Sequence, residues 1–177
     1  MDGRIIKTKK QINCALIELL RSKHLSEITV STLCDKAGIS RNTFYAHYHT
    51  PMDVIDEMSN NLINELDSVA RKTADSLNIC ISICKYLYEK REIFKVISSA
   101  NCDHKYFDIA IMRARNSSRS RSVYTKWCDS ISLRDYYPEF VIGGCIFVLQ
   151  RWLETGMEET PQEMGAMIHN VFTKCTL

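Results

Sequence analysis

Residues 40 to 49 concentrate side chains that form directed hydrogen bonds. Arg41 can bind O6 and N7 of a guanine with two of its N–H groups, and Asn42 can bind N6 and N7 of an adenine in the same way. The hydroxyl groups of Thr43 and Tyr45 suit phosphate oxygens. This stretch therefore has the chemistry to recognise a nucleic acid, with two residues for base edges and two for the backbone.

Three of these residues also have a simpler interpretation. Arg41 could be a solvated surface side chain, Asn42 could merely support the start of a helix, and Tyr45 could be a core residue. The choice depends on the elements that carry the side chains, because base reading requires a unit that fits the major groove.

The surrounding sequence predicts two short helices joined by a tight turn. Thr29 is a good N-cap for the first helix, and Gly38 is the residue type that ends a helix in the left-handed conformation. Ser40 then caps a second helix from Arg41 to Tyr48. This is the layout of a helix-turn-helix. Its buried residues would be Leu33, Ala37, Ile39, Phe44 and Tyr48.

The rest of the chain also favours helices, since only 6 Gly and 3 Pro occur in 177 residues. Apolar residues recur with helical spacing over residues 4–22, and Pro51 at a first-turn position starts a longer helix to about Lys72. Further helices are expected from about Asp75 to Tyr88, from Lys90 to Ser98, from Asp103 into the 120s, and from the Thr160–Glu163 capping box to about Phe172. We expect an all-α fold of about nine helices, with a three-helix helix-turn-helix domain over residues 1–50 and a second helical domain over residues 51–177.

The C-terminal part contains a helix with no polar face. Pro138 opens this helix and Gly156 closes it, and its segment Phe140–Leu149 is apolar all round. Such a helix must be covered on every side, which in a chain of this size implies its own core on one side and a partner subunit on the other. Its two glycines would permit close approach of helices. The expected homodimer interface is Phe140, Gly143, Gly144, Phe147, Val148 and Arg151.

Charge is distributed unevenly along the chain. Residues 1–50 hold eight basic and four acidic side chains, whereas the remainder holds 15 basic and 17 acidic ones. The first third is therefore the part suited to a polyanion, and Lys7, Lys9 and Lys10 would add non-specific attraction. No Gly-rich nucleotide loop, zinc-protease motif or serine-hydrolase motif occurs, so we expect no enzyme, no catalytic residue and no cofactor.

The eight cysteines include no C-x-x-C pair, which argues against zinc-ribbon and thioredoxin-like folds. Cys80 and Cys84 stand four residues apart and could hold a metal, but they are more simply explained as small buried apolar residues, and no metal site is predicted. The N-terminus lacks the apolar region of a signal peptide, and no apolar run approaches the roughly 18 residues of a membrane span. These features predict a protein of the reduced cytoplasm without a membrane partner.

From Ile28 to Val54 the sequence resembles the TetR/AcrR family of bacterial regulators. The family pattern is a Thr-capped helix, then Leu-x-x-x-Ala-Gly-hydrophobic-Ser, then x-x-Thr-hydrophobic-Tyr-x-His-aromatic. The matching residues here are Thr29, Leu33, Ala37-Gly38-Ile39-Ser40 and Thr43-Phe44-Tyr45-Ala46-His47-Tyr48. Near the C-terminus, Arg151–Gly156 followed by Thr160-Pro161 resembles a subgroup that contains regulators of dihydroxyacetone kinase operons.

The resemblance implies that the partner is double-stranded DNA, and it adds residues to the site. It implies phosphate contacts from Tyr45 and His47, with His49 just beyond them, and from Thr29, which could also act as a cap alone. Ser31 and Thr32 stand where the family makes an additional contact. The predicted DNA-binding residues are Thr29, Ser31, Thr32, Ser40, Arg41, Asn42, Thr43, Tyr45, His47 and His49.

One residue departs from the family pattern. The family usually has a lysine just after the motif, where it clamps a DNA phosphate from the start of the next helix, and this chain has Pro51 there. The proline removes that contact, while free backbone N–H groups at the helix start could bind the phosphate instead.

The resemblance also implies a mechanism. A homodimer would place two recognition helices on a palindromic operator, ~34–36 Å apart, and a small molecule in the C-terminal domain would release this repressor from DNA. Aromatic residues predicted to line the effector pocket are Tyr86, Phe94, Phe107 and Trp127, although aromatic residues at helical spacing are also ordinary core. An alternative function is a co-regulator that keeps the fold and acts by docking another protein.

Overall fold

The computed structural model describes residues 3–72, 75–102 and 136–174. Within these ranges the chain forms eight α-helices, one short 3₁₀-helix (Leu25–Glu27) and no strand, which confirms the expected all-α class of about nine helices. The α-helices are α1 Gly3–Leu20, α2 Val30–Ala37, α3 Arg41–Tyr45, α4 Pro51–Arg71, α5 Ser76–Glu89, α6 Arg91–Ile97, α7 Tyr136–Glu154 and α8 Pro161–Lys174. Among these described helices, none combines the length and the apolar character that a membrane crossing requires.

The chain divides into two compact units. Of the described residues, the first unit contains 3–64 and 92–102, and the second contains 65–72, 75–91 and 136–174. Helix α4 begins in the first unit and ends in the second. The functional division after residue 50 stays a prediction.

The core of the first unit is formed by apolar residues of α1 and of the two short helices. Their spacing along each helix places them on one face, as burial against neighbouring helices requires. Of the five residues expected to be buried in the helix-turn-helix, only Ile39 is half-buried, because it stands in the turn between α2 and α3. Fully buried residues of this core include Ile12, Leu16, Leu20, Leu33 and Phe44.

A segment distant in sequence completes the first unit. The side-chain amide of Asn101 donates to the carbonyl of Leu20 at 2.9 Å, and the carbonyl of Asn101 accepts the backbone N–H of Leu25 at 2.9 Å. The carbonyl of Leu20 belongs to the last turn of α1, where helical partners are missing. Asn101 therefore satisfies the end of α1 and fixes the chain that leads towards α2.

In the second unit α8 approaches α5 very closely. Gly165 of α8 faces Ile81 of α5, and a Cβ placed on Gly165 would lie 2.7 Å from the Cα of Ile81. Helix α8 starts with the predicted capping box, in which the N–H of Thr160 donates to the carboxylate of Glu163 at 2.8 Å and the N–H of Glu163 donates to the Thr160 hydroxyl at 3.2 Å. Gly156, with a φ of 93°, follows the end of α7 as expected.

Two helix ends differ from the sequence expectation. Helix α3 ends at Tyr45 rather than at Tyr48. The N–H groups of His47 and Tyr48 share the carbonyl of Phe44, at 2.9 Å each, and the N–H of His49 bonds the Asp53 carboxylate at 2.8 Å instead of a carbonyl of α3. Helix α7 begins at Tyr136 rather than at Pro138. A proline is tolerated within the first turn because the N–H groups there have no helical partner.

Candidate nucleic-acid interface

Helices α2 and α3 begin in the same way. Thr29 accepts the N–H of Thr32 at 3.1 Å, and Ser40 accepts the N–H of Thr43 at 3.1 Å. In each pair the two hydroxyl groups also bond to each other, at 2.9 Å and 2.8 Å respectively. Both predicted N-caps are therefore formed, and each contributes about 1 kcal/mol to the stability of its helix.

These hydroxyl pairs can cap a helix and still donate to a phosphate. A hydroxyl group has one hydrogen and two lone pairs. Within a bonded pair one hydroxyl gives its hydrogen to the other, and the accepting hydroxyl keeps its own. Each pair therefore retains one O–H donor, so capping and phosphate binding do not exclude each other at Thr29 and Ser40.

The turn between α2 and α3 depends on Gly38. This residue has a φ of 67° and a ψ of 36°, in the left-handed region. The N–H of Ile39 then bonds the carbonyl of Cys34 at 3.1 Å, which closes the end of α2. A residue with a Cβ atom adopts this conformation at a penalty of roughly 1–2 kcal/mol. Gly38 thus sets the direction in which the chain leaves α2 for α3.

Helix α3 separates a buried side from an exposed one. Phe44 is fully buried, whereas Arg41 and Asn42 are exposed. Tyr45 is 52% exposed, and its ring meets that of Phe44 edge-on, with the centroids 5.8 Å apart. Core packing therefore does not account for the whole Tyr45 side chain, and its exposed part can meet a ligand.

Arg41 is held against α2. Its Nη2 atom donates to the hydroxyl oxygen of Ser31 at 2.6 Å. Burial, together with the Asp35 carboxylate, raises the pKa of the Cys34 thiol above its usual value, and the Arg41 guanidinium offsets part of this rise. Two residues predicted to contact DNA from different helices are thus brought together.

The two histidines after α3 differ in their surroundings. His47 is half-buried with its ring 6.5 Å from that of Tyr48, while His49 is exposed. All ten predicted DNA-binding residues belong to the first unit, on α2, on α3 or in the chain beside them, and none of the ten is buried. Their contact with DNA stays a prediction.

The start of α4 is occupied by a carboxylate of the chain itself. The Asp53 carboxylate accepts the N–H groups of His49 at 2.8 Å and Thr50 at 2.9 Å, and the Thr50 hydroxyl accepts the N–H of Asp53 at 3.3 Å. These bonds, led by the one from His49, hold the pKa of Asp53 below its usual value. The expectation that backbone N–H groups are free at this helix start is wrong for the N–H groups of His49, Thr50 and Asp53. The positive end of a helix stabilises a carboxylate in the same way as it stabilises a phosphate.

A second acidic residue of α4 neutralises one of the predicted surface lysines. Lys9 of α1 bonds both carboxylate oxygens of Glu57, at 2.9 Å and 2.7 Å, and its Nζ atom lies 5.3 Å from the centre of the Tyr48 ring. Of the three lysines expected to attract DNA, Lys7 and Lys10 are exposed, whereas Lys9 is half-buried and paired.

The sequence did not reveal the bonds that Asp53 and Glu57 form, although both acidic residues suit the positive start of a helix. The Thr50-x-x-Asp53 spacing follows the capping-box pattern and could have indicated the first of them. The pairing of Lys9 with Glu57 joins residues 48 positions apart, and no local pattern announces it.

The predicted dimer residues of α7 lie on the outside of the second unit. Phe140 is 77% exposed, Phe147 is 73% exposed, and Gly144 and Arg151 are exposed as well, so that these four residues form one stripe along the helix. Gly143 and Val148 beside it are half-buried, and a Cβ added at either glycine would meet no atom within 4 Å. Two large aromatic side chains thus lack cover within their unit.

The predicted effector residues are only partly described. Tyr86 is buried and its hydroxyl donates to the Glu65 carboxylate at 3.0 Å. Phe94 is half-buried in the other unit. Phe107 and Trp127 lie outside the described residues. The effector pocket stays a prediction.

Cysteines of the second unit lie in apolar surroundings. Burial raises the pKa of Cys84 on α5 to about 12, and it raises the pKa of Cys145 on α7 to about 12. Thiols in such surroundings stay protonated and unreactive at neutral pH. Across residues 3–72, 75–102 and 136–174, no group of three or more His, Cys, Asp or Glu side chains could hold a metal ion.

Comparison with known proteins shows the family to which this chain belongs. A TetR family model described as a transcriptional regulator C-terminal region matches residues 74–174, more than half of the chain. A solved TetR transcriptional regulator from Streptococcus agalactiae 2603V superposes with a TM-score of 0.75 at 23% identity, covering 96% of both chains. The dihydroxyacetone kinase operon activator DhaS gives 0.67 at 18% identity over 96% of both chains. The fatty acid degradation regulator FadR from Bacillus halodurans gives 0.66 at 11% identity, over 97% of this chain and 95% of that one.

Proposed function

Because this chain belongs to the TetR family of transcriptional regulators, we propose that it is a one-component repressor that binds a palindromic operator as a homodimer. The observation that carries the proposal is the arrangement of α3. Its buried Phe44 fixes the helix, while Arg41, Asn42 and Tyr45 are exposed. This is the arrangement that a helix needs in order to enter a major groove with side chains at base edges.

Base reading and positioning fall to different residues. Arg41 and Asn42, in the first turn of α3, would hydrogen-bond to base edges. Thr43 and Tyr45 on α3, with Thr29 at the start of α2 and His47 after α3, would bind phosphates and fix the position along the duplex. The hydroxyl pairs at the two N-caps support this division, because each pair retains a donor beyond those used in capping.

The exposed stripe on α7 is where two copies would meet. Phe140 and Phe147 expose most of their surface within the protomer, and a second copy of α7 would bury them around a two-fold axis. Gly144, between the two aromatic residues, would permit close approach of the paired helices. The resulting dimer would set two copies of α3 on half-sites ~34–36 Å apart.

The regulatory step follows from coupling between the units. A small molecule bound in the second unit would release the operator if it prefers a conformer in which the two copies of α3 no longer match the half-sites. Helix α4 begins in the first unit and ends in the second, so a shift at its second-unit end would reach the first unit directly. We propose that this regulator acts in the cytoplasm and, as is general in the family, without enzymatic activity.

A gel shift with duplexes from the region around the protein's own gene tests the proposal. Loss of a bidentate base contact is worth about 1–3 kcal/mol, so Arg41→Ala should weaken binding roughly 5- to 150-fold, and Tyr45→Ala should weaken it too. Arg71→Ala is the matched control, because it removes an exposed arginine at the far end of α4 and should bind like the wild type. Wild-type protein that shifts none of these duplexes at low salt would refute the repressor.

A co-regulator that docks another protein is the second candidate function. The engaged start of α4 favours it, since Asp53 presents a negative charge to any phosphate approaching there and the usual lysine is replaced by Pro51. A cell in which the Arg41→Ala protein regulates its target genes normally would support docking over DNA reading.

A further inference from the structure

Ser31 and Arg41 form a contact that neither helix needs for its own stability. The Nη2 atom of Arg41 donates to Ser31 Oγ at 2.6 Å, and the two residues are ten positions apart. Helix α2 is capped by Thr29 and helix α3 by Ser40, so the Ser31 hydroxyl is not required at either cap. The bond instead ties the second residue of α2 to the first residue of α3.

The bond leaves Arg41 able to bind a base. A guanidinium has five N–H donors in a fixed fork. One donor is directed at Ser31, and the remaining four exceed the two that a bidentate grip on guanine requires. An exposed arginine without such a bond samples many rotamers, and ordering a side chain of this kind on binding costs about 0.5–1.5 kcal/mol, a penalty that a partner in the free protein reduces.

We infer that Ser31 is a positioning residue, which orders the Arg41 guanidinium before DNA arrives and acts on base recognition through it. The inference rests on the proposed function of Arg41 as a base reader. It assigns to Ser31 a role through Arg41 in place of a direct phosphate contact. A half-buried hydroxyl that accepts from Arg41 still keeps its own hydrogen, so DNA-binding measurements must distinguish the two roles.

A double-mutant cycle in DNA binding tests this role. Ser31→Ala should weaken binding roughly two- to tenfold on a duplex that the wild type shifts, and Ser31→Thr, which keeps the hydroxyl, should restore it. In the Arg41→Ala protein the same Ser31→Ala change should have no further effect. An equal loss in both backgrounds would overturn the inference in favour of a direct contact of Ser31 with DNA. Tighter binding by Ser31→Ala would also overturn it, since the bond would then restrain Arg41 from binding.

A second measurement needs no DNA and separates failure of the inference from failure of the proposed function. NMR relaxation of the Arg41 side-chain Nε–Hε group in the free protein should show an ordered guanidinium in the wild type and in Ser31→Thr, and a mobile one in Ser31→Ala. Equal mobility in wild type and Ser31→Ala would overturn the inference, whatever the DNA result. If the guanidinium is ordered by Ser31 but the protein binds none of the duplexes, the proposed function fails, and with it the role in base recognition.

Discussion

Replacing Gly165 with alanine should destabilise the second unit, although alanine is the better helix former. A Cβ at this position would lie 2.7 Å from the Cα, 2.8 Å from the N and 2.9 Å from the Cγ1 of Ile81. The first two are backbone atoms, which no change of rotamer can move. Helices α5 and α8 would therefore have to separate where they now touch.

The size of the effect follows from two opposing contributions. Ordinary contact begins at 3.4 Å, so the new Cβ would be too close by roughly 0.7 Å, and overpacking of this kind destabilises by about 1–3 kcal/mol. Alanine in place of glycine inside a helix returns up to about 1 kcal/mol. We expect a net loss of up to about 2 kcal/mol in the free energy of unfolding, which in a chain of this size lowers the Tm by up to roughly 8 °C.

Denaturant unfolding followed by circular dichroism measures this loss. One fixed protein concentration is used, because the stability of the proposed dimer would depend on that concentration. Ala166→Gly is the control, since it changes helix propensity at the next position of α8 without adding an atom, and it should lose about 1 kcal/mol. A Gly165→Ala protein more stable than the wild type by about 1 kcal/mol would refute the reasoning, because helix propensity alone would then decide the outcome.

Three further predictions concern charge and the exposed face of α7. Asp53→Asn keeps an acceptor for the start of α4 but removes a negative charge. The substitution should tighten DNA binding roughly three- to fivefold at low salt and less at high salt. An unchanged affinity would mean that no phosphate lies near this helix end. Because the pKa of Asp53 is lowered in the folded protein, its stabilising bonds are fully present above the unfolded pKa of about 3.9 and are lost as the pH falls through the folded pKa. The unfolding free energy of wild type and of Asp53→Asn is therefore measured from pH 6 to about pH 2. The two values should converge below about pH 4, and a difference that stays constant with pH would contradict this. Phe147→Asp should turn the proposed dimer into a monomer in sedimentation equilibrium. The control Ile6→Asp, at another exposed apolar residue, should leave the protein dimeric. A dimeric Phe147→Asp protein would place the interface elsewhere.

Features that depend on neighbouring residues could be predicted from the sequence. The N-caps Thr29 and Ser40 and the left-handed Gly38 are decided within three or four residues of each cap, and all three occur as expected. The same locality explains why the capping box at Thr160 and the start of α4 at Pro51 were found.

Features that depend on distant contacts could not be predicted. The early end of α3 was not predicted, although the burial of Phe44 and Tyr48 was. Two contacts join different helices: the bond between Arg41 and Ser31, and the pairing of Lys9 with Glu57. Residues of these types are equally suited to exposure to solvent, so their types do not indicate that they pair. The sequence therefore identified the candidate site residues, but not which of them are already engaged with one another.

The contact made by Asn101 has a consequence for exchanging parts between related regulators. The first unit is not one continuous stretch of sequence, since residues 92–102 return to it after the chain has entered the second unit. Consider a hybrid that takes its first 64 residues from this protein and the rest from another regulator. In that hybrid the residue facing the carbonyl of Leu20 and the N–H of Leu25 would come from the other regulator instead of being Asn101. Moving the proposed DNA-binding specificity onto another regulator therefore requires the transplant of two separate pieces, the N-terminal stretch and the short segment that contains Asn101.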